Sequence, residues 1–140
     1  MGKIISGFSN IGKSSFINYK KASVYDLDTC YFNKIDNWVP IYIDCLLALS
    51  EIYDYVFITT YGDVLKELEK RNIPYTLVYP KRDLKEEYRL RAIKRHSSDD
   101  FVQGFFSRWD MHIDDCLKRK PTKRIELNSG EYLSDIIDHL

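Results

Sequence analysis

Cysteine is scarce in the sequence, and the few cysteines present are poorly placed for cross-linking. The 140 residues include three of them, Cys30, Cys45 and Cys116, with no CxxC spacing. An odd number of widely separated thiols argues against a disulfide framework and against a zinc site. A reducing environment suits such a chain, so we expect a cytoplasmic protein.

Net charge and long apolar runs are missing as well. With 21 basic and 21 acidic residues the net charge is zero, so no overall field attracts the protein to nucleic acid or to an anionic membrane. The apolar run near the start is too short for a secretory signal, and no segment approaches the roughly eighteen apolar residues of a membrane span. We therefore expect the protein to bind neither nucleic acid nor a membrane. The length suits one domain over residues 1–140.

The strongest motif lies near the start of the chain. Residues 7–14, GFSNIGKS, satisfy G-x-x-x-x-G-K-[ST] and stand between an apolar run and a helix-forming segment. Glycines allow backbone N–H groups to face a phosphate, and the following helix presents the positive end of its dipole to it. Lys13 would reach the β- and γ-phosphates, and Ser14 would ligate Mg²⁺. The residues predicted to bind ATP are Gly7, Asn10, Ile11, Gly12, Lys13, Ser14 and Ser15.

The rest of the chain alternates strand-forming and helix-forming segments. Strands are predicted at residues 3–8, 23–27, 55–60, 75–79 and 124–127. Helices are predicted to begin at 13 and to cover 40–50, 63–71, 82–95, 99–117 and 132–140. This order implies an α/β fold with a parallel sheet and helices on both faces.

Two acidic residues follow the second predicted strand. Open α/β sheets bind ligands at the carboxyl ends of their strands, and strand residues two apart point the same way. Asp26 and Asp28 are therefore predicted to face the phosphate loop, Asp26 supporting Mg²⁺ and Asp28 holding or deprotonating the acceptor. A solvated acidic turn would have the same sequence. Many phosphate-loop proteins have an Asp after the next strand, where this chain has Thr59 and Thr60, so metal support shifts to Asp26.

Residues 81–95 contain a local excess of positive charge, seven basic side chains against three acidic ones. Arg91 and Arg95 are four residues apart and Tyr88 precedes Arg91 by three, so the three share one helical face. Paired guanidinium groups on such a face are suited to clamp a transferring phosphoryl group and to neutralise its charge. A solvated basic face with Glu–Arg pairs explains the same spacing equally well.

Taken in order, these features resemble the small phosphate-loop kinases of the nucleoside and nucleotide monophosphate kinase type, especially the compact bacteriophage-encoded ones. Beside the phosphate loop, the matching residues are Tyr25-Asp26-Leu27-Asp28-Thr29, Asn37-Trp38-Val39-Pro40 with Tyr42, Val78-Tyr79-Pro80, Glu87-Tyr88 with Arg91 and Arg95, and Arg108-Trp109-Asp110. The chain departs from the pattern at Ala92 and His96, which replace an aromatic residue and a glycine expected after the two arginines.

The resemblance implies a three-layer P-loop NTPase fold with a parallel sheet of about five strands and a short helical lid, near residues 81–98, that excludes water. It implies a kinase that uses ATP and Mg²⁺ in nucleotide metabolism, as a monomer or homodimer, in the host cytoplasm if the chain is phage-encoded. The favoured acceptor is a (deoxy)nucleoside monophosphate. The implied roles are catalysis by Lys13, Asp28, Arg91 and Arg95, acceptor binding by Asp28, Trp38, Tyr42 and Arg82, and metal binding by Ser14 and Asp26.

Two other functions remain open at this stage. The D-L-D strand end is also similar to the D-S-D of shikimate kinases, in which a carboxylate engages an acceptor hydroxyl, so the acceptor could be a nucleoside or another small alcohol. The missing Asp after the third strand and the altered lid are equally compatible with a nucleotide-binding module without catalysis. An acceptor that is already phosphorylated needs additional cations, and the basic stretch favours that acceptor.

Overall fold

The structure, a computed structural model, describes residues 1–13, 16, 23–29, 32 and 37–140. Its strands are β1 (Lys3–Gly7), β2 (Val24–Asp26), β3 (Tyr55–Ile58), β4 (Thr76–Pro80) and β5 (Lys123–Leu127). The helices described in full are α1 (Trp38–Ser50), α2 (Gly62–Lys70), α3 (Lys85–Lys94), α4 (Asp99–Ser107) and α5 (Trp109–Lys118), with 3-10 segments at Arg82–Leu84 and Leu133–His139. All strands are parallel and follow the order β2-β3-β1-β4-β5. The predicted α/β class with a five-stranded parallel sheet is confirmed.

The first strand in the sequence lies at the centre of the sheet. Within β1, Ile5 stands opposite Phe57 of β3 on one side and Thr76 of β4 on the other. Ile4 and Ile5 are almost completely buried, as expected of a parallel strand covered on both faces. The edge strands β2 and β5 are largely exposed. Continuous apolar runs in the sequence therefore indicate the central strands of the sheet. Because β1 is the central strand, the phosphate loop that follows it lies at the middle of the sheet.

Helices cover the sheet with apolar faces of helical spacing. In α2, Val64, Leu65 and Leu68 are buried while the charged residues between them are not. Phe16, which is helical, is completely buried and packs edge-to-face on Phe57 at 5.2 Å between ring centroids. This contact fixes the start of the helix after the phosphate loop against β3. No helix within the described ranges is long and apolar enough to cross a membrane.

Two helix predictions are wrong. The predicted helix over 99–117 is divided into α4 and α5 at Arg108, whose φ of −109° and ψ of 20° are not helical. The break turns Trp109 into the core, where its indole N–H donates to the Arg82 carbonyl at 2.8 Å. The predicted helix over 132–140 is 3-10 in character and kinked at Ile136. At Arg108 the contact made by Trp109 thus replaces a regular helical continuation.

Candidate functional site

A cavity of about 760 Å³ opens where β1, β2 and β3 end, a volume typical of small-molecule sites. Six residues of the phosphate loop line it, together with Asp26, Asp28, Thr59 and Thr60 from the neighbouring strand ends. The opposite wall is formed by residues of α3, of α4 and of the loop after β5. Candidate site residues from distant parts of the sequence therefore line one cavity.

The backbone of the phosphate loop is bent into a concave surface. Asn10 and Gly12 both have left-handed backbone conformations, with φ of 66° and 94°, and such bends are how successive N–H groups come to face an anion. A Cβ atom on Gly7 would lie 2.7 Å from Cδ1 of Ile11, so the loop closes only around a glycine. The Phe16 N–H donates to the Gly12 carbonyl at 3.0 Å, a helical hydrogen bond between residues four apart that follows the loop directly.

Lys13 reaches across the loop towards the second strand. Its ammonium nitrogen lies 3.8 Å from Oδ1 of Asp26, and both side chains are partly exposed. A solvated pair of this kind is weak, so Lys13 can exchange the carboxylate for a phosphate at little cost. Ser14 and Ser15 lie outside the described residues, and their predicted contacts with Mg²⁺ and ATP remain predictions.

The strand end that carries Asp26 and Asp28 is held at the residue between them. Leu27 is buried, its N–H donates to the Phe57 carbonyl at 2.9 Å, and its carbonyl accepts from the Tyr42 hydroxyl at 2.6 Å. With both backbone groups fixed, the carboxylates on either side of Leu27 are directed into the same cavity. Their roles towards metal and acceptor remain to be tested.

Tyr42 packs in the core behind the acidic strand end. It is completely buried, its hydroxyl is engaged by Leu27, and burial, with the nearby carboxylates of Asp26 and Asp28, raises its pKa above the ordinary value. In this structure Tyr42 supports the acidic strand end, and the prediction that it binds substrate stays a prediction. The sequence alone cannot separate these roles, because a tyrosine hydroxyl serves a ligand or a backbone carbonyl equally well.

Two other predicted substrate residues lie outside the cavity wall. The Arg82 guanidinium donates to Oδ1 of Asp110 at 2.9 Å and also pairs with Asp114, so its charge is directed at α5 and its predicted contact with the acceptor is not supported. Trp38 packs edge-to-face on Tyr61 at 5.3 Å between ring centroids and does not line the cavity.

The end of β3 faces the phosphate loop with hydroxyl groups instead of a carboxylate. Thr59 and Thr60 line the cavity. The buried Ser6 hydroxyl of β1 donates to the Thr59 carbonyl at 3.0 Å, which ties the two strand ends together. No group of three or more Asp, Glu, His or Cys side chains assembles among the described residues. Mg²⁺ commonly uses one or two carboxylates together with substrate phosphates, and Asp26 with the phosphate loop fits that donor set.

The two arginines predicted to act together are used differently. Arg91 lines the cavity but is only 9% exposed, and its guanidinium donates to the carbonyls of Asn10 and Glu131 at 3.1 and 3.0 Å. Arg95 is exposed and donates to the side-chain oxygen of Asn10 at 2.9 Å. Arg91 is therefore held mainly by the protein, whereas Arg95 is more open to the cavity, and the predicted catalytic roles of both stay predictions.

The wall formed by α4 is aromatic, and the sequence interpretation missed it. Phe101 and Phe105 line the cavity and stack on each other, 5.3 Å apart at 16°. Phe105 in turn packs on Phe8 beside the phosphate loop and stacks on His112. The spacing of four residues on a helix was the available signal. Lys94 and Tyr132, which also line the cavity, carried no comparable signal.

The residues present fit MgATP. The loop geometry demands glycine where the motif has it, the backbone is concave, and a lysine and a carboxylate stand at its mouth. These are the groups with which phosphate-loop proteins hold the β- and γ-phosphates and the metal ion. Asp28 lines the same cavity as these groups.

Comparisons with known proteins agree on the fold. The sequence matches no protein family, and no curated protein matches it significantly. Among solved structures, the tunicamycin resistance protein of Deinococcus radiodurans matches with a TM-score of 0.59 and 10% identity over 99% of this chain and 93% of that one. An uncharacterized protein from Eubacterium ventriosum matches with a TM-score of 0.53 and 10% identity over 99% and 96%. Shikimate kinase from Bacteroides thetaiotaomicron matches with a TM-score of 0.52 and 13% identity over 92% and 86%.

At these identities the likeness concerns the fold alone. The chain has the five-stranded α/β architecture of P-loop kinases such as shikimate kinase, over nearly its whole length. The substrate is not decided by this comparison.

Proposed function

We propose that the protein binds MgATP in the phosphate loop and transfers its γ-phosphoryl group to a nucleotide, with a (deoxy)nucleoside monophosphate as the favoured acceptor. The observation that carries this proposal is the meeting of Lys13, Asp26, Asp28 and Arg95 around one cavity. Catalysis of phosphoryl transfer consists almost entirely of positioning and electrostatic stabilisation. Two carboxylates and two cations beside a phosphate loop supply both.

Each residue has a distinct task in this proposal. Bound MgATP supplies the phosphoryl group that is transferred. Lys13 and the loop N–H groups hold its phosphates, and Asp26, with Ser14, supports the metal ion. Asp28 orients the acceptor, and Arg95 neutralises the charge that develops during transfer. The α3–α4 wall excludes water, which would otherwise compete with the acceptor.

The side chains of the wall formed by α3 and α4 favour a nucleotide over a hydroxy acid as the acceptor. Lys94 and Arg95 provide cations for a phosphate group, and the exposed ring of Phe101, supported by Phe105 behind it, provides an apolar surface for an unsaturated ring. A nucleoside monophosphate combines both features. A hydroxyl acceptor is the second candidate, because the cavity also contains Asp28, a carboxylate suited to remove a hydroxyl proton.

The test is an ADP-release screen with Mg²⁺ against the natural ribonucleoside and deoxynucleoside monophosphates, nucleosides and small hydroxy acids. We expect turnover with one or a few monophosphates, and a loss of at least about a hundredfold in Lys13→Ala. Lys66→Ala, on the exposed face of α2, is the matched control and should keep wild-type turnover. Turnover only with hydroxyl acceptors would support the second candidate. MgATP binding without turnover on any acceptor would indicate a nucleotide-binding module.

A further inference from the structure

A charged pair, of which Arg91 is buried and Glu87 partly exposed, connects helix α3 to the backbone of the phosphate loop. Glu87 and Arg91 are four residues apart on α3, with 3.1 Å between Oε2 and the guanidinium. Arg91 also donates to the carbonyl of Asn10 in the phosphate loop and to the carbonyl of Glu131 in the loop after β5. One side chain thus joins three segments that are remote in the sequence.

Glu87 holds the same loop from the other side. Its carboxylate accepts from the Ser129 hydroxyl at 2.5 Å and from the Gly130 N–H at 3.0 Å, as well as from Arg91. These hydrogen bonds, that of Ser129 foremost, lower the Glu87 pKa below its ordinary value. The carboxylate is therefore ionised at neutral pH. We call Glu87, Arg91 and these partners the Glu87–Arg91 brace.

The Glu87–Arg91 brace holds the loop after β5 in contact with the phosphate loop. The Arg91 guanidinium carbon lies 3.8 Å from the centre of the Tyr132 ring, and that ring occupies the space that a Cβ atom on Gly12 would enter, 3.0 Å away. The next residue, Leu133, donates its N–H to the Ile11 carbonyl at 2.8 Å. The carbonyl groups of Asn10 and Ile11 are thereby held on the outside of the loop. Their fixation leaves the concave side to N–H groups.

We propose that Glu87 and Arg91 are positioning residues that set the affinity of the phosphate loop for nucleotide phosphates by holding the loop backbone in its concave form. The proposal rests on the proposed function in one respect, namely that this loop binds MgATP. It assigns Arg91 to the loop and not to the transferring phosphoryl group. Pre-organising a binding loop raises affinity because the cost of ordering it is removed from the binding step.

A neighbouring pair provides the matched control. Glu86 and Arg89, on the same helix, form a pair of similar chemistry, but their side chains are 67% and 38% exposed, against 29% and 9% for Glu87 and Arg91. Glu86→Gln therefore removes the same charge from the same helix without touching either loop. Any effect of total charge or of helix propensity appears equally in both variants.

The experiment measures two quantities in the wild-type protein, Glu87→Gln, Ser129→Ala and Glu86→Gln. One is the dissociation constant for MgATP by calorimetry, and the other is amide hydrogen exchange in residues 8–13 and 128–133 of the nucleotide-free protein. Glu87→Gln should weaken MgATP binding by about tenfold and speed exchange in both segments. Ser129→Ala should act in the same direction by less, and Glu86→Gln should stay within about twofold of wild type.

Several results would overturn the proposal. A merely structural role would lower the urea midpoint of Glu87→Gln but leave the MgATP dissociation constant of the folded protein unchanged. Faster exchange confined to 128–133 would show that the brace does not reach the phosphate loop. Equal losses in Glu86→Gln and Glu87→Gln would assign the effect to helix charge. If wild type binds no MgATP, the proposed function fails together with the affinity part, and the exchange data alone decide whether the two loops are coupled.

Discussion

The two walls of the cavity are built on different principles. The strand-end wall consists of the phosphate loop, Asp26 and Asp28, and its polar groups are placed by backbone contacts with the central strands. The helical wall, formed by α3 and α4, is placed by side chains, above all by Arg91. The first wall depends on local sequence and sheet register, whereas the second depends on contacts between residues far apart in the chain.

This difference explains why equal spacing on α3 gives unequal roles. Arg91 and Arg95 both line the cavity, but Arg91 is buried and held by several protein acceptors, whereas Arg95 is exposed and donates to Asn10. A charged side chain is available to a ligand only where the protein has not already satisfied it. The variants below test whether this division between the walls is real.

The largest effect is expected on the strand-end wall. Asp28→Asn should lower turnover by about a hundredfold or more, because the acceptor loses its orienting carboxylate, and should leave MgATP binding within about twofold. Steady-state kinetics together with calorimetry separate the two quantities. Asp44→Asn, an exposed carboxylate on α1, is the control and should leave both unchanged. Loss of MgATP binding in Asp28→Asn would contradict the assignment of this residue to the acceptor.

The two arginines should separate on the helical wall. Arg91→Ala should lower the free energy of unfolding by about 3 kcal/mol, since it leaves the Glu87 carboxylate and two carbonyls without their donor. Arg95→Ala should change stability by less than about 0.5 kcal/mol but lower kcat by roughly tenfold to a hundredfold. Urea unfolding and turnover measured on both variants check this. Similar losses of stability in the two variants would show that Arg91 and Arg95 do not differ in their contribution to the folded structure.

Acid should act on the helical wall through Glu87. Because its folded-state pKa lies below the ordinary value of 4.5, the carboxylate contributes stability that is present above pH 4.5 and is lost as the pH falls through the folded-state pKa. The difference in unfolding free energy between wild type and Glu87→Gln should therefore be constant from pH 7 to about pH 5 and shrink below it. Urea titrations across this range measure it, and a difference that grows on acidification would refute the reasoning.

The smallest effect is expected at the end of α3. His96 has a left-handed φ of 61°, and its neighbour Ser97 donates to the Ala92 carbonyl at 3.1 Å, a helix-terminating arrangement that favours glycine. His96→Gly should raise the free energy of unfolding by about 0.5–1 kcal/mol. Lys94→Gly, inside the helix, should lower it by about as much. Thermal unfolding of both variants would reveal whether the signs differ as expected.

The sequence predicted the strand-end wall because its information is local. The glycine spacing of the phosphate loop, the alternation of Asp26 and Asp28 around a buried Leu27, and the apolar strands are each readable within a few residues. The family resemblance predicts a glycine at position 96, where this chain has a histidine. The structure gives a local reason for that preference, since the backbone of His96 is left-handed.

The helical wall was less predictable because its contacts are remote. Glu87 and Arg91 have the spacing of any surface ion pair, and nothing in the sequence indicates that Asn10, Ser129 and Gly130 converge on them. The break between α4 and α5 falls at Arg108, with no glycine or proline to mark it. Tyr42 was assigned to the acceptor because burial cannot be read from a single aromatic residue on a helix.

The hydrogen bond from the Leu133 N–H to the Ile11 carbonyl determines when the phosphate loop can complete its folding during synthesis of the chain. The phosphate loop is synthesised before the residue that completes its backbone contacts, Leu133, which lies more than a hundred positions later in the chain. The central strand that carries the loop must likewise wait for β3 and β4. A nascent chain therefore carries the whole phosphate-loop motif without its finished backbone contacts until β5 and the residues after it have been synthesised.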